Sequence, residues 1–257
     1  QNAVINYSSP IQIPGTTWSQ FYVGDNKTVG GLKSDGTLWV WSNNTYGQLG
    51  QNNRAKYSSP VQVPGSWILG RPSNNSGGIK TGNTLWSWGN NSYGQLGQNN
   101  EVYYSSPVQV GGDTTWDDVS TADGLVFGSK TDGTLWAWGG NNLGQLAQNN
   151  RTQYSSPVQI PGTTWGTIKT NSGSGAMAVK TDGTLWVWGT QGSGGELGLN
   201  DQNHRSSPTQ IPGTTWSTGE GKYGLSSGSA GIKTDGTLWM WGRSDRGQLA
   251  QNNVVQY

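Results

Sequence analysis

Lys130-Thr131-Asp132-Gly133-Thr134-Leu135-Trp136-Ala137-Trp138-Gly139 decides the reading of this chain, because close variants of it occur five times. The copies centre on Trp39, Trp86, Trp136, Trp186 and Trp239, which are 47, 50, 50 and 53 residues apart. Each is followed by a Gly-Gln-Leu-type turn, then a Ser-Ser-Pro-Val-Gln-Ile phrase, then Pro-Gly-Thr-Thr-Trp or a variant. A period of about fifty residues made of short extended pieces is the signature of a β-propeller with one blade per repeat.

Within one copy, Thr84-Leu85-Trp86-Ser87-Trp88 alternates, so its tryptophans share one face of a strand. Its hairpin partner is Gly78-Ile79-Lys80. The turn between them is Asp-Gly in four copies (Asp35-Gly36, Asp132-Gly133, Asp182-Gly183, Asp235-Gly236), the pair expected of a type I′ hairpin. In the second copy it is Gly82-Asn83, which also tolerates positive φ. A further strand begins at the prolines Pro10, Pro60, Pro107, Pro157 and Pro208, where proline suits an edge. Another opens at Trp18, Trp67, Trp116, Trp165 and Trp216.

Four strand types thus occur five times each: A opening at the corner tryptophan, B ending in Lys-Thr, C carrying the paired tryptophans, and D carrying Pro-Val-Gln, with close variants. The expected architecture is all-β: one domain over 1–257, a propeller of five four-stranded blades. The blades are placed at 18–63, 67–110, 116–160, 165–211, and 216–241 plus 8–13. The first D strand precedes any C strand, and the last C strand has none after it. Closure is therefore expected by Pro10–Ile13 pairing beside Thr237–Trp241. The alternative is that the repeats are part of a seven-bladed ring. Gln251–Tyr257 repeats the phrasing of Gln1–Tyr7, a duplication that a closed five-blade ring leaves redundant.

Composition narrows the function classes. Hydrophobic residues make up only 31% of the chain and 42 residues are glycine, yet 15 are tryptophan, three per repeat. Burying one such ring removes ~150–250 Å² from water, roughly 4–6 kcal/mol as an upper estimate, so few aliphatics are needed. Fifteen basic and 14 acidic residues leave a net charge of +1 without like-charge runs. That disfavours a nucleic-acid partner. No apolar stretch reaches membrane-spanning length, so no membrane insertion is expected. The absence of cysteine removes thiol catalysis and thiolate metal sites. The single histidine, His204, lies in a polar loop, and no nucleophile-elbow motif is present. Asp117 and Asp118 are the one adjacent carboxylate pair and should point to opposite faces of their strand. No catalytic residue, metal or cofactor is expected.

The Leu-Trp-x-Trp-Gly-x-Asn-x-x-Gly-Gln-Leu-Gly pattern, fullest at Leu38–Gly50, Leu85–Gly97 and Leu135–Ala147, resembles the regulator of chromosome condensation repeat. That family is typically seven-bladed and includes a secreted bacterial propeller that inhibits β-lactamases. The Ser-Ser-Pro-Val-Gln-Ile-Pro-Gly-Thr-Thr-Trp phrasing also resembles repeat proteins of marine bacteriophages, taken as virion structural components. The resemblance implies a fold and a binding habit rather than a reaction.

Residues common to all copies serve blade geometry. The A-strand tryptophans read either as inter-blade packing or as a sugar-stacking platform. Variation concentrates in the A–B segments and the C–D connectors, which alternate strand directions bring to one face of the ring, and recognition usually lives on such loops. The candidate partner-binding residues are Asp25, Lys27, Arg71, Asn74, Asp123, Asn171, Glu220 and Tyr223 from the first set, and Arg54, Lys56, Glu101, Tyr103, Arg151, His204 and Arg205 from the second. The expected function is a non-enzymatic binding or structural propeller at a virion or extracellular surface, contacting another protein. The alternative is a multivalent carbohydrate-binding ring engaging glycans through the repeated residues.

Overall fold

A computed structural model describes residues 8–24, 27–122, 124–170, 175–192, 194–219, 222–225 and 228–251. They form an all-β molecule of five antiparallel sheets taken in sequence order. Blade 1 is β1 (Trp18–Val23), β2 (Thr28–Lys33), β3 (Leu38–Ser42) and β4 (Tyr57–Val63). Blade 2 is β5 (Trp67–Arg71), β6 (Asn75–Lys80), β7 (Thr84–Gly89) and β8 (Tyr104–Gln109). Blade 3 is β9 (Trp116–Ala122), β10 (Leu125–Lys130), β11 (Leu135–Gly139) and β12 (Tyr154–Ile160). Blade 4 is β13 (Trp165–Thr170), β14 (Gly175–Lys180), β15 (Leu185–Gly189) and β16 (Arg205–Ile211). Blade 5 has three strands, β17 (Tyr223–Gly224), β18 (Gly228–Ile232) and β19 (Leu238–Gly242), and Trp216 adds only an isolated bridge to Lys233.

The core lies between blades, in four apolar clusters at four seams. Leu38, Val40 and Leu49 of blade 1 meet Trp67 and Trp88 of blade 2. Leu85 and Val110 meet Trp116 and Trp138; Leu135 and Ile160 meet Trp165 and Trp188; Leu185 and Val187 meet Trp216 and Trp241. Each blade therefore has an aliphatic face for the blade after it and a tryptophan face for the blade before it. The A-strand tryptophans are packing residues: Trp67 and Trp116 are each 1% exposed.

Three expectations need correction. The Asp-Gly turns are not type I′, because only the glycine has positive φ (Gly36 80°, Gly133 77°). Lys33 donates to Thr37 O at 3.0 Å and Gly36 to Lys33 O at 3.0 Å, a longer loop that needs one left-handed residue. Asp117 and Asp118 do not point apart. Lys130 pairs with Trp116 and Ser129 with Asp118, so Asp117 is the extra residue of a β-bulge and both carboxylates line the space at the axis. Finally, Pro10–Ile13 forms no strand, and β19 pairs with β18 alone. The Pro14–Thr17 corner ties this segment to blade 1, while Leu238 and Met240 at the other end of the series are 62% and 37% exposed. Their counterparts Leu185 and Val187 are fully buried. Among the described residues, the five blades are therefore not clasped by pairing of Pro10–Ile13 with the last strand.

Candidate functional site

The variable C–D connectors stand on a rigid base that the sequence did not advertise. Asn44 is fully buried; its Oδ1 accepts from Leu49 N–H at 2.9 Å and its Nδ2 donates to Asn53 O and Ala55 O at 3.0 and 2.8 Å. Asn91 does the same with Leu96, Asn100 and Val102, and Asn141 with Leu146, Asn150 and Thr152. In blade 4 Gln191 takes the role, accepting from Leu197 N–H at 2.7 Å and donating to Asp201 O at 2.9 Å. The signal was the asparagine shared by the first three copies at Asn44, Asn91 and Asn141, which reads as a loop residue until its burial is known. Each connector also reaches the next blade: Asn52, Asn99 and Asn149 donate backbone N–H to Ser105, Ser155 and Ser206 carbonyls at 2.7, 2.7 and 2.6 Å.

On this base the structure brings several candidate residues together. The Arg54 guanidinium lies 5.9 Å from the Tyr103 ring centroid, across the first seam. Tyr103 stands edge-on to Tyr46 at 5.9 Å and its hydroxyl bonds that of Ser92. Glu101 accepts from Gln153 Nε2 at 2.6 Å across the second seam. Lys56 and Arg151 are exposed. In blade 4, Arg205 pairs with Asp201 and donates to Asn203 O. A hydrogen bond from the Asn203 backbone, then Arg205, hold the Asp201 carboxyl below its usual range. His204 Nδ1 accepts from Gln191 N–H at 3.0 Å, so the imidazole helps to fix its own connector.

The A–B candidates are placed differently. Asn74 is 4% exposed and its neighbour Asn75 1%, so Asn74 leaves the recognition set. Their loop is pressed into the first seam: Ser76 Oγ donates to Gln48 O at 2.9 Å, and Gly89 leaves no room for a side chain against Asn74 O. Arg71 points to the axis rather than the rim. Its Nη2 meets Asp118 Oδ1 at 3.0 Å, its Nε donates to Val119 O at 3.0 Å, and Tyr22 lies beneath it at 5.1 Å. Burial raises the Tyr22 hydroxyl above its ordinary range against the opposing pull of Arg71. Lys27 is exposed, with φ of 69°. The Tyr223 backbone pairs with Gly231 in β17. Asp25, Asp123, Asn171 and Glu220 fall outside the described residues.

Sequence reading missed the axis itself. Strands β1, β5, β9 and β13 surround a cavity of about 790 Å³ lined by Tyr22, Arg71, Asp117, Asp118 and Lys169 among others. Bulges just after the A-strand tryptophan turn adjacent residues of these strands toward it. Among the described residues no group of three or more His, Cys, Asp or Glu could hold a metal ion. Among the described residues no helix is long and apolar enough to cross a membrane.

No curated protein matches the chain by sequence. Among solved structures, Prp20p from Saccharomyces cerevisiae, described with its binding to Gsp1p and histones, superposes with a TM-score of 0.75 at 17% identity over 93% of this chain and 61% of its own. Human WBSCR16 gives 0.71 at 22% identity over 89% and 63%. Yeast RCC1 (Prp20) in a complex with Kap60 gives 0.71 at 17% over 89% and 56%. The chain thus spans about three fifths of the length of these propellers, and the likeness is one of fold. By sequence, residues 35–67, 83–127 and 132–170, less than half of the chain, match the Regulator of chromosome condensation (RCC1) repeat.

Proposed function

We propose that this chain is a non-enzymatic binding propeller that engages a protein through the rim built by its C–D connectors. One observation carries the reading: the connectors of blades 1 to 3 touch across both seams, at Arg54–Tyr103 and Glu101–Gln153, and so present one continuous surface on asparagine-pinned loops. Preorganised loops bind without a large ordering cost. The propellers of similar fold are described with protein partners, Gsp1p and histones in one case and Kap60 in another. A net charge of +1 favours protein over nucleic acid. The phage-like phrasing and the Asn-, Gln- and Ser-rich composition support a place on a virion or exported surface.

The test compares the native chain with a variant carrying Arg54→Ala, Lys56→Ala, Tyr103→Ala and Arg151→Ala, each immobilised and exposed to proteins of the source particle or cell surface. A protein held by the native chain and released by the variant, with Tm changed by less than about 3 °C, is the expected outcome. Equal capture by both would remove the rim from consideration. The glycan reading is weaker because its repeated aromatics are engaged: Trp67, Trp116, Trp165 and Trp216 are buried, and the C-strand tryptophans Trp86 and Trp136 each have a lysine over the ring.

A further inference from the structure

Positions that the blades treat alike are filled differently where the A strands meet at the axis. Tyr22, Arg71, Ser120 and Lys169 each pair with the B-strand residue that lies opposite the middle of the Trp-x-Trp unit. They therefore hold one register in blades 1 to 4. The bulge after the A-strand tryptophan gives a second shared position, with Ser19, Ile68 and Asp117 in blades 1 to 3. Blade geometry asks for no particular side chain at either place. Yet Tyr22, Arg71, Lys169 and Asp117, an aromatic ring, two cations and a carboxylate, all line the axial cavity of about 790 Å³.

The walls carry ionised groups whose charges cancel: Arg71 from blade 2, Asp117 and Asp118 from blade 3, and Lys169 from blade 4. They are not engaged alike. Asp118 Oδ1 meets Arg71 Nη2 at 3.0 Å and accepts from Val119 N–H at 2.8 Å, while Arg71 Nε donates to Val119 O at 3.0 Å. Arg71 is thereby fixed across the second seam, and its charge stays at the wall. The Asp117 carboxylate is exposed and makes no hydrogen bond or ion pair among the described residues. The Gln20 amide accepts the Tyr22 hydroxyl on its oxygen, which leaves its NH2 for another acceptor. Leu69 and Ile168 add an apolar wall from blades 2 and 4. Apolar walls with a few convergent polar groups are the ordinary form of a small-molecule site.

We propose that the axial cavity binds a free α-amino acid with an apolar side chain. Its ammonium sits on Asp117, its carboxylate faces the charges of Arg71 and Lys169, and its side chain lies against Leu69 and Ile168. The charge pattern selects a dipolar ligand. A simple anion meets the two carboxylates of blade 3, and a simple cation meets Arg71 and Lys169. A zwitterion finds an opposite charge for each of its own, and low-dielectric walls strengthen both attractions. A sugar offers Asp117 only neutral hydroxyls, whereas an ammonium gives a charge-assisted bond of roughly twice the strength. The site stands on the A strands rather than on the connectors, so it is separate from the rim.

Leucine is the probe, with isoamylamine and isocaproate as the same side chain lacking the carboxylate or the ammonium. Titration calorimetry of the full chain at pH 7 should give saturable one-to-one binding of leucine, with each analogue at least tenfold weaker. Asp117→Asn keeps the shape and removes the charge of an exposed bulge residue. It should weaken leucine binding at least tenfold while Tm moves by less than about 2 °C. The chain with Arg54→Ala, Lys56→Ala, Tyr103→Ala and Arg151→Ala should bind leucine as the native chain does, which keeps this test independent of the rim. Absence of binding by leucine, methionine and phenylalanine alike at millimolar concentration would overturn the proposal. So would leucine binding that Asp117→Asn leaves unchanged, or isoamylamine or glucose bound as tightly as leucine.

Discussion

At the scale of the residue, the repeat is a device for holding tryptophan polar atoms and a lysine in fixed relation. Lys33, Lys80, Lys130, Lys180 and Lys233 each lie between the A-strand tryptophan and the first C-strand tryptophan of their own blade, as with Lys130 at 4.9 Å from Trp116 and 4.1 Å from Trp136. Ammonium over indole is attractive, and the rings keep the charge from needing full hydration. Beside four of the five clasps the turn aspartate accepts from the following threonine, whose Oγ1 accepts from the tryptophan: Thr134 Oγ1 donates to Asp132 at 2.6 Å and receives Trp136 Nε1–H at 3.0 Å. Thr134→Val removes both bonds without changing shape, and we expect a loss of about 1–2 kcal/mol in a urea titration. The bonds from Thr37, Thr134, Thr184 and Thr237 hold Asp35, Asp132, Asp182 and Asp235 below their ordinary range. With folded pKa values depressed, their stabilisation is complete above about pH 4, the unfolded value, and is lost as pH falls through the folded ones. Blade 2 lacks the aspartate, having Gly82 in its place, and burial alone lowers Lys80. The neutral amine is therefore favoured in the folded state, and stability gains as pH rises through its lowered pKa. In a ¹⁵N titration Lys80 should lose its proton below the ordinary lysine range; a pKa at or above that range would remove the burial argument.

At the scale of the element, most strands were legible and their details were not. Alternation in Leu135-Trp136-Ala137-Trp138 and the proline-led Pro157-Val158-Gln159-Ile160 placed β11 and β12, because a period of two needs no tertiary information. The turn type was misread because Asp-Gly serves two hairpin lengths, and only the Lys33–Thr37 bond separates them. The bulge at Asp117 was invisible, since nothing local says that one residue of the A strand will have no partner. Of the candidate site, the exposed connector residues were legible as variation between copies. The burial of Asn74 was not, because it depends on the neighbouring blade. The pinning asparagines give the contrast a test. Asn91→Ala removes the partner of the buried Leu96 amide and of two part-buried carbonyls, so a loss of about 2–3 kcal/mol is expected by denaturant titration. Arg151→Ala, on the exposed rim above the same kind of connector, should stay within about 0.5 kcal/mol. Similar losses for the two would mean that the connectors are not the rigid base described.

At the scale of the molecule, stability is a sum over seams rather than over blades. An isolated blade buries neither its aliphatic nor its tryptophan face, so most of what holds it comes from its neighbours. Among the described residues, blades 2, 3 and 4 have a formed seam on each side, whereas blades 1 and 5 have one. The bare faces show the deficit directly: Phe21 and Val23 are 81% and 73% exposed at one end, and Leu238 is 62% exposed at the other. Units that can open without breaking two seams should do so before the whole molecule unfolds. By hydrogen exchange at pH 7, amides of β6, β10 and β14 should exchange at least tenfold more slowly than those of β18. Uniform exchange across all five blades would mean that the series melts as one cooperative unit. The seams would then be far stronger, relative to the blades, than their repeated contacts imply.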